Sequence, residues 1–302
     1  MGRTRQAVGP LPRHRRPGRP LIPHRVTVAP LPVWVAHERL LGPGEWEVAP
    51  VDGGLSAVGT LAMEAAADLA ARLRGVGLGG RPLGVEVTPK LKRGAVRAAR
   101  TADARRRRDT TPGFTRPGAR TDPEGKVSLT PEALALEIGQ RWRGQRVIDA
   151  GCGVGGNTIG FARAGCAVTA IEQDPHRLAL ARHNARIYGV EERIRFLNGD
   201  ARRVVPTLEA DMLFVDPPWG VDWDRSHTAV ADLPLLEDIL EVFHGSGRFG
   251  YLVAKVPPSF DPDIIAGAVA RAVFGEAPGD YRRVKFVLLE MQLSVTAVTT
   301  PR

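Results

Sequence analysis

"RVIDAGCGVGGNTIGFARAGCAVTAIE", residues 146–172, decides the fold. The apolar run Arg146–Ala150 stops at Gly151, Gly153 and Gly155, with Gly156 just after. Glycine takes left-handed backbone without a Cβ penalty, so a tight turn is expected there. A helix is expected to run from the turn to about Ala164, and "AVTAIE" (167–172) forms a second strand. Strand, glycine turn, helix and strand make the repeating unit of a parallel sheet with right-handed crossovers.

The same alternation continues outward. "RIRFL" (193–197), "DMLFV" (211–215) and "FGYLVAKV" (249–256) supply three further strands. Asp174 and Pro175 start a helix with Leu178, Ala181, Ala185 and Tyr188 on one face. Another helix is expected at 232–243, with Leu236, Ile239, Leu240 and Phe243 inward. A further one is read from Ile264, Ile265, Ala268, Val269 and Ala272, and two strand-like runs lie in 281–299. Upstream, "LTPEALALEIGQRW" starts a helix with Thr130 as N-cap and Pro131 at the first helical position. The expected fold class is therefore α/β, a Rossmann-like domain over 126–302. It has a mostly parallel sheet with helices on both faces, and a basic N-terminal extension precedes it. Ligands of such sheets gather beyond the carboxyl ends of the strands.

The extension reads differently. Residues 1–30 are rich in Arg and Pro with no apolar period, and are expected to be a disordered tail. Residues 31–125 form a basic accessory region expected to be weakly ordered, with a helix at 61–73, a short strand "LGVEV" at 83–87 and a basic helix at 90–107. That helix ends in Arg105, Arg106, Arg107 and Arg108, and a Pro- and Gly-rich loop follows at 109–125. The chain's formal charge is +9, and it is unevenly placed: residues 1–125 hold 22 Lys and Arg against 11 acids, and the rest 20 against 22. A basic block of this kind suits a polyanion such as RNA. Only five of the 42 basic residues are Lys, so part of the Arg content also fits a GC-rich coding bias. Cys152 and Cys166 have neither metal nor disulfide-framework spacing, which points to a reducing, cytoplasmic setting. No metal and no membrane span are expected, and the oligomeric state is left open.

Three acids fall at three expected strand ends. Asp149 stands two residues before the first glycine, Glu172 ends the second strand, and Asp200 follows the third in "LNGDA". A carboxylate beside the glycine turn suits an ammonium group and would repel a pyrophosphate, which argues against a nicotinamide dinucleotide. Glu172 can accept ribose hydroxyls, and Asp200 an adenine amine. Together they match S-adenosylmethionine, with Gly151, Gly153, Gly155, Asn157 and Thr158 completing the turn around it. Taken singly, each acid is also explained as a helix cap or a solvated turn residue.

"LFVDPPWG", residues 213–220, ends the fourth strand beside that turn. Asp216 and the Pro217 carbonyl can each accept one N–H of an exocyclic amine. This aims the nitrogen lone pair and stabilises charge developing on it. Pro217 and Pro218 stiffen the corner, and Trp219 offers a stacking face for a planar base.

"VIDAGCGVGGNTIGFARAGCAVTAIEQDPHRLALARHNARIYGV", "IRFLNGDA" and "DPPWG" resemble class I S-adenosylmethionine-dependent methyltransferases. With "LTPE" ahead of the first strand, they resemble more narrowly the trimethylguanosine synthase family of RNA cap guanine-N2 methyltransferases. The resemblance is dense over 127–221 and does not cover 1–110. It implies Asp149 and the Gly151–Gly156 turn on the methionine part of the cofactor, Glu172 on the ribose, Asp200 near the adenine, and Asp216 to Trp219 on the substrate base. The reaction expected is methyl transfer to guanine N2 in RNA. N6-adenine methylation, methylation of a glutamine amide in a protein, and a non-catalytic nucleic-acid binder remain as alternatives.

Overall fold

The structure, a computed structural model, describes residues 22–220 and 223–293. Most of the expected Arg/Pro tail, residues 1–21, lies outside them, as do residues 294–302.

The N-terminal region is not weakly ordered. It opens with β1 (His24–Leu31), α1 (His37–Leu41), β2 (Trp46–Val51), β3 (Gly54–Leu61) and α2 (Met63–Leu73). A two-stranded hairpin follows, β4 (Gly77–Leu78) and β5 (Arg81–Pro82), then β6 (Gly84–Thr88) and α3 (Arg93–Arg106). The four longer strands pair antiparallel in the order β2-β3-β1-β6. Their core buries Val26, Val28, Leu31, Leu69 and Leu73. Residues 24–30 of the expected tail are in fact the central strand β1. The missed signal is Asp52-Gly53, a two-residue hairpin loop between β2 and β3. β2 is an exposed edge strand and β3 carries Gly54 and Gly59, so neither shows a strong apolar alternation.

The second domain holds α4 (Gly125–Ser128), α5 (Glu132–Gln140), β7 (Arg146–Ala150), α6 (Gly156–Ala164), β8 (Ala167–Glu172), α7 (Pro175–Ile187) and β9 (Ile194–Asn198). It continues with α8 (Ala201–Val204), β10 (Ala210–Val215), α9 (Pro234–Ser246), β11 (Phe249–Val256), β12 (Val269–Phe274) and β13 (Val284–Gln292). The seven strands run in the order β12-β13-β11-β10-β7-β8-β9. The pairs of β7 with β8, β8 with β9, β10 with β7, and β10 with β11 are parallel; β13 is antiparallel to both its neighbours. Strand order reverses between β7 and β10, the place where open α/β sheets bind ligands.

Strand periodicity of two fixes the faces. Val147, Met212, Phe214 and Val253 join one core with Leu134 of α5, Phe161 of α6 and Leu178 of α7. Ile148, Leu213, Val215, Leu252 and Ala254 join the other with Leu236, Ile239 and Phe243 of α9. Burying one such large apolar side chain stabilises the fold by about 1.5–3 kcal/mol.

Two local expectations are corrected. The N-cap of α5 is Pro131, one residue later than Thr130, and no side-chain cap bond forms. The helix expected at 264–272 is absent; a short turn at Pro262–Ile264 and strand β12 replace it. The reason is tertiary. Phe274 at the end of β12 is buried in the N-terminal core, with Ala272 and Val284 packed against it. The N-terminal domain thus covers part of the sheet edge near β12, and the Ala- and Val-rich stretch pairs as a strand beneath it.

Candidate active site

Register brings the candidate residues together. Phe214 pairs with Asp149 and Val215 with Ala150, while Val215 pairs with Ala254 on the other side. Asp149, Asp216 and Lys255 therefore sit in neighbouring rows at three adjacent strand ends. By the period of two they share the face that carries α6. Glu172 ends β8 and Asp200 follows β9, so five consecutive strand ends face one cleft. Its volume is about 1670 Å³, and its wall includes Gly151, Gly153, Asn157, Glu172, Asp200, Asp216, Pro217, Pro218, Trp219 and Lys255.

The glycine turn is built as expected. Gly151, Gly153 and Gly155 all have positive φ, at 87°, 56° and 94°, and Gly155 caps the start of α6. Asp149 is buried beneath the turn and accepts from the Thr158 hydroxyl; its second oxygen, Oδ1, has no partner. Burial pushes the Asp149 carboxyl up to about 7; the charges of Asp216 and Glu172 add to this and the Thr158 hydroxyl opposes it. Asn157 is likewise buried, with Oδ1 unpartnered. Two orphaned acceptors beside the turn are what a cationic group would satisfy. Asp149, Gly155 and Thr158 lie behind the turn and are not part of the cleft wall.

Glu172 is 6% exposed. Its Oε2 accepts from the Gly153 amide and its Oε1 from the Asp174 amide, each at 2.9 Å. It braces the turn, and each oxygen keeps a lone pair for a ligand. Asp174 caps α7, as the sequence suggested. Asp200 is different: it accepts from the Arg202 backbone amide at 3.0 Å and from its guanidinium at 2.8–3.0 Å. The Arg202 hydrogen bonds hold its carboxyl below the usual carboxylate range. Although it lines the cleft, Asp200 is committed as a cap and ion-pair partner, and is a poor acceptor for an adenine amine.

Asp216 has a partner that sequence reading missed. Lys255 Nζ donates to its Oδ2 at 2.7 Å, and Asn157 Nδ2 donates to the same oxygen at 3.0 Å. Lys255 is 4% exposed and also donates to the Ser128 carbonyl at 3.3 Å. The Thr130 hydroxyl is buried and makes no hydrogen bond among the described residues. Among the described residues, Asp216 Oδ1 accepts no hydrogen bond, and the side chain is 16% exposed. Burial raises the Asp216 carboxyl; Lys255 and Asn157 partly offset it. The signal was a lone lysine inside the apolar strand "YLVAKV", since a buried lysine needs a buried acid.

Trp219 is half-buried and packs against both sheet-face cores. The Lys255 ammonium lies 5.2 Å from the centre of its ring, and Trp223 meets it edge-on at 5.6 Å. The indole thus serves as core packing and cleft wall at once.

The expected loop at 109–125 and the start of the second domain form another wall, from Thr110 to Pro131. Its ties are long-range. Thr111 bonds Asp280, Thr115 bonds Glu132, and Arg120 and Asn184 exchange two hydrogen bonds. Arg177 pairs with Asp122 at 3.1 Å and Glu124 at 2.8 Å.

Residues 144–233 match the family described as RNA cap guanine-N2 methyltransferases. A trimethylguanosine synthase of Schizosaccharomyces pombe is 38% identical over 109 residues, 33% of this chain and 45% of that protein. The ribosomal RNA small subunit methyltransferase J of Rhodopseudomonas palustris is 34% identical over 139 residues, 40% of this chain and 62% of that protein. The trimethylguanosine synthase of Saccharomyces cerevisiae is 31% identical over 103 residues, 31% of this chain and 33% of that protein. The matches thus span less than two thirds of each of these relatives. Residues 144–233 thus resemble the guanine-N2 family, and the sheet order is that of a Rossmann-like α/β domain.

Proposed function

We propose that this class I methyltransferase domain moves a methyl group from S-adenosylmethionine to an exocyclic amine of a base in RNA, namely guanine N2. The observation that carries the reading is the Asp216 carboxylate. One oxygen is clamped by Lys255 and Asn157, and the other accepts no hydrogen bond among the described residues, at the cleft that also holds the glycine turn.

The residues present fit the cofactor. Asp149 Oδ1 and Asn157 Oδ1 are buried acceptors without partners, suited to an ammonium group. Glu172 would accept the ribose hydroxyls, and the Gly151–Gly156 turn would let backbone approach closely. When bound, S-adenosylmethionine supplies an electrophilic methyl group on a sulfonium. The chain's own part is to orient and stabilise. Asp216 Oδ1 accepts one amine N–H and the Pro217 carbonyl the other, which turns the nitrogen lone pair toward the donor side. As the nitrogen gains positive charge, the Asp216 carboxylate stabilises it without reorganising, because Lys255 and Asn157 already hold it. Trp219 would stack on the base with the face not occupied by Lys255.

Guanine N2 as the target rests on the matched family and on relatives named for trimethylguanosine synthesis. Ribosomal RNA as the polymer is supported by the Rhodopseudomonas palustris relative. Mass spectrometry of nucleosides from RNA incubated with the protein and S-adenosylmethionine tests both, with ribosomal and small RNA analysed separately. N2-methylguanosine is expected. N6-methyladenosine instead would overturn the guanine assignment and spare the amine chemistry; no methylated nucleoside would overturn the reading.

A further inference from the structure

Helix α3 sets Arg93, Arg97 and Arg100 about one turn apart on a single face. With Leu91, Val96 and Thr101 they line a groove of about 390 Å³ that shares no residue with the cleft. All three arginines are exposed. Their charge is not offset locally. The one acid of α3, Asp103, is buried and pairs with Arg107 and Arg283. Arg106 is held by Asp68 at 3.2 Å. Among the described residues no ion pair reaches Arg93, Arg97, Arg100, Arg105 or Arg108, and none reaches Lys90 or Lys92. Of the Arg105–Arg108 run that sequence reading favoured, two members are therefore already engaged.

The free charges also have a direction. From α3 the chain passes through Arg105 and Arg108 to Thr110, the first residue in the cleft wall. A row of uncompensated arginines is self-repelling, and a polyanion lying along it relieves the repulsion. The apolar floor of Leu91 and Val96 suits the sugar or base face of an unpaired strand better than a compact anion.

We propose that the Arg93–Arg97–Arg100 face of α3 holds the phosphate backbone of a single-stranded segment of the RNA whose base enters the cleft. The inference rests on the RNA reading above and adds a second, remote contact to it. It places the length of α3, about 20 Å, alongside the strand outside the catalytic cleft.

The test is binding rather than turnover. Fluorescence anisotropy with a labelled single-stranded RNA of about 20 nucleotides gives Kd across a salt series, for the full chain and for Arg93→Gln/Arg97→Gln/Arg100→Gln. Three lost phosphate contacts should flatten the slope of log affinity against log salt by about 2. Affinity near 0.1 M salt should fall by about tenfold or more. S-adenosylhomocysteine affinity, which checks the fold of the variant, should not change. An unchanged slope and Kd in the folded variant would overturn the proposal. So would the same loss for an acidic peptide of matched charge, since that would make the face a general anion patch. Wild-type RNA binding without any methylation would sink the proposed reaction and leave this surface standing.

Discussion

Asp149 and Asp216 are two carboxyls on one face of the sheet, both raised by burial, with different remedies. Lys255 already neutralises Asp216, whereas Asp149 has one oxygen without a partner among the described residues. Asp149 therefore couples ligand binding to pH. In the free protein its carboxyl titrates near about 7, and a cationic ammonium is attracted only to the ionised form. Titration calorimetry with S-adenosylhomocysteine should show affinity rising between pH 5.5 and 7.5. Asp149→Asn should be weaker by about 2–5 kcal/mol, with a flat profile; a parallel rise in that variant would refute the role. At Asp216, replacement by Ala should lower kcat by about 10²–10³ with a smaller change in KM. Asp216→Asn should retain more activity, since an amide oxygen still accepts. Lys255→Met strands a buried carboxylate and should cost about 3–5 kcal/mol of stability by denaturant unfolding. Lys255→Met/Asp216→Leu should recover most of that stability and no activity; failure to recover would mean that Lys255 stabilises mainly through Ser128 and its aromatic neighbours. Much of this was legible in the sequence, because acids at strand ends and a Pro-Pro corner are local signals. The Lys255 partnership was not, since it depends on which strand lies beside β10. Asp200 shows the converse: its position was read correctly, but Arg202 two residues on takes up its carboxylate.

At the scale of elements, the wall from Thr110 to Pro131 is a segment without long regular structure that is nonetheless fixed. Glu132 at the start of α5 is its main anchor. Its Oε1 meets Arg163 at 2.6 Å, and its Oε2 accepts from the Thr115 amide, the Thr115 hydroxyl and the Tyr188 hydroxyl. Burial alone would raise this carboxyl, but the bonds from Thr115, Tyr188 and Arg163 outweigh it and bring it from 4.5 to about 2. A depressed acid stabilises the fold above its unfolded pKa and loses that contribution as pH falls through its folded pKa. Glu132→Gln should therefore lower Tm at pH 7, and the gap from the wild type should close as pH drops from 4.5 toward 2. A gap that stays constant with pH would mean that the carboxylate's charge contributes nothing. Glycines and prolines correctly marked this stretch as lacking long elements. Its anchoring was invisible, because Asn184, Tyr188 and Asp280 lie about 65 to 170 residues downstream. The helix expected at 264–272 failed for a related reason: its apolar spacing suited either period, and the neighbouring domain decided.

For the whole molecule, the two domains share a boundary that is partly core. Phe274 of the second domain is buried among Leu40, Leu69 and Leu73 of the first. Arg39 donates to the carbonyls of Gly275 and Tyr281 at 2.6 Å and 2.9 Å, and Asp103 pairs with Arg283. The chain should unfold in a single calorimetric transition. Phe274→Ala should lower that transition by the equivalent of about 3–5 kcal/mol without splitting it; two separate transitions in the wild type would show that the domains are independent. The alternating elements of the second domain were legible in the sequence, but the first was missed, because its hairpin joins an exposed edge strand to one interrupted by Gly54 and Gly59. One feature of this arrangement reaches into how the protein is made. Thr111, at the entrance to the cleft wall, is tied to Asp280, 169 residues later. A ribosome releases Thr111 long before it releases Asp280 and β13. Glu132, Asn184 and Arg177 emerge before Asp216 and Lys255, so most of the wall already has its anchors while the Thr111 end waits for Asp280. The last of these strands off the ribosome is β13, which pairs with Lys255 and brings Phe286 against its ammonium, so the reactive corner and the Thr111 end of the wall are completed by the same late stretch of chain.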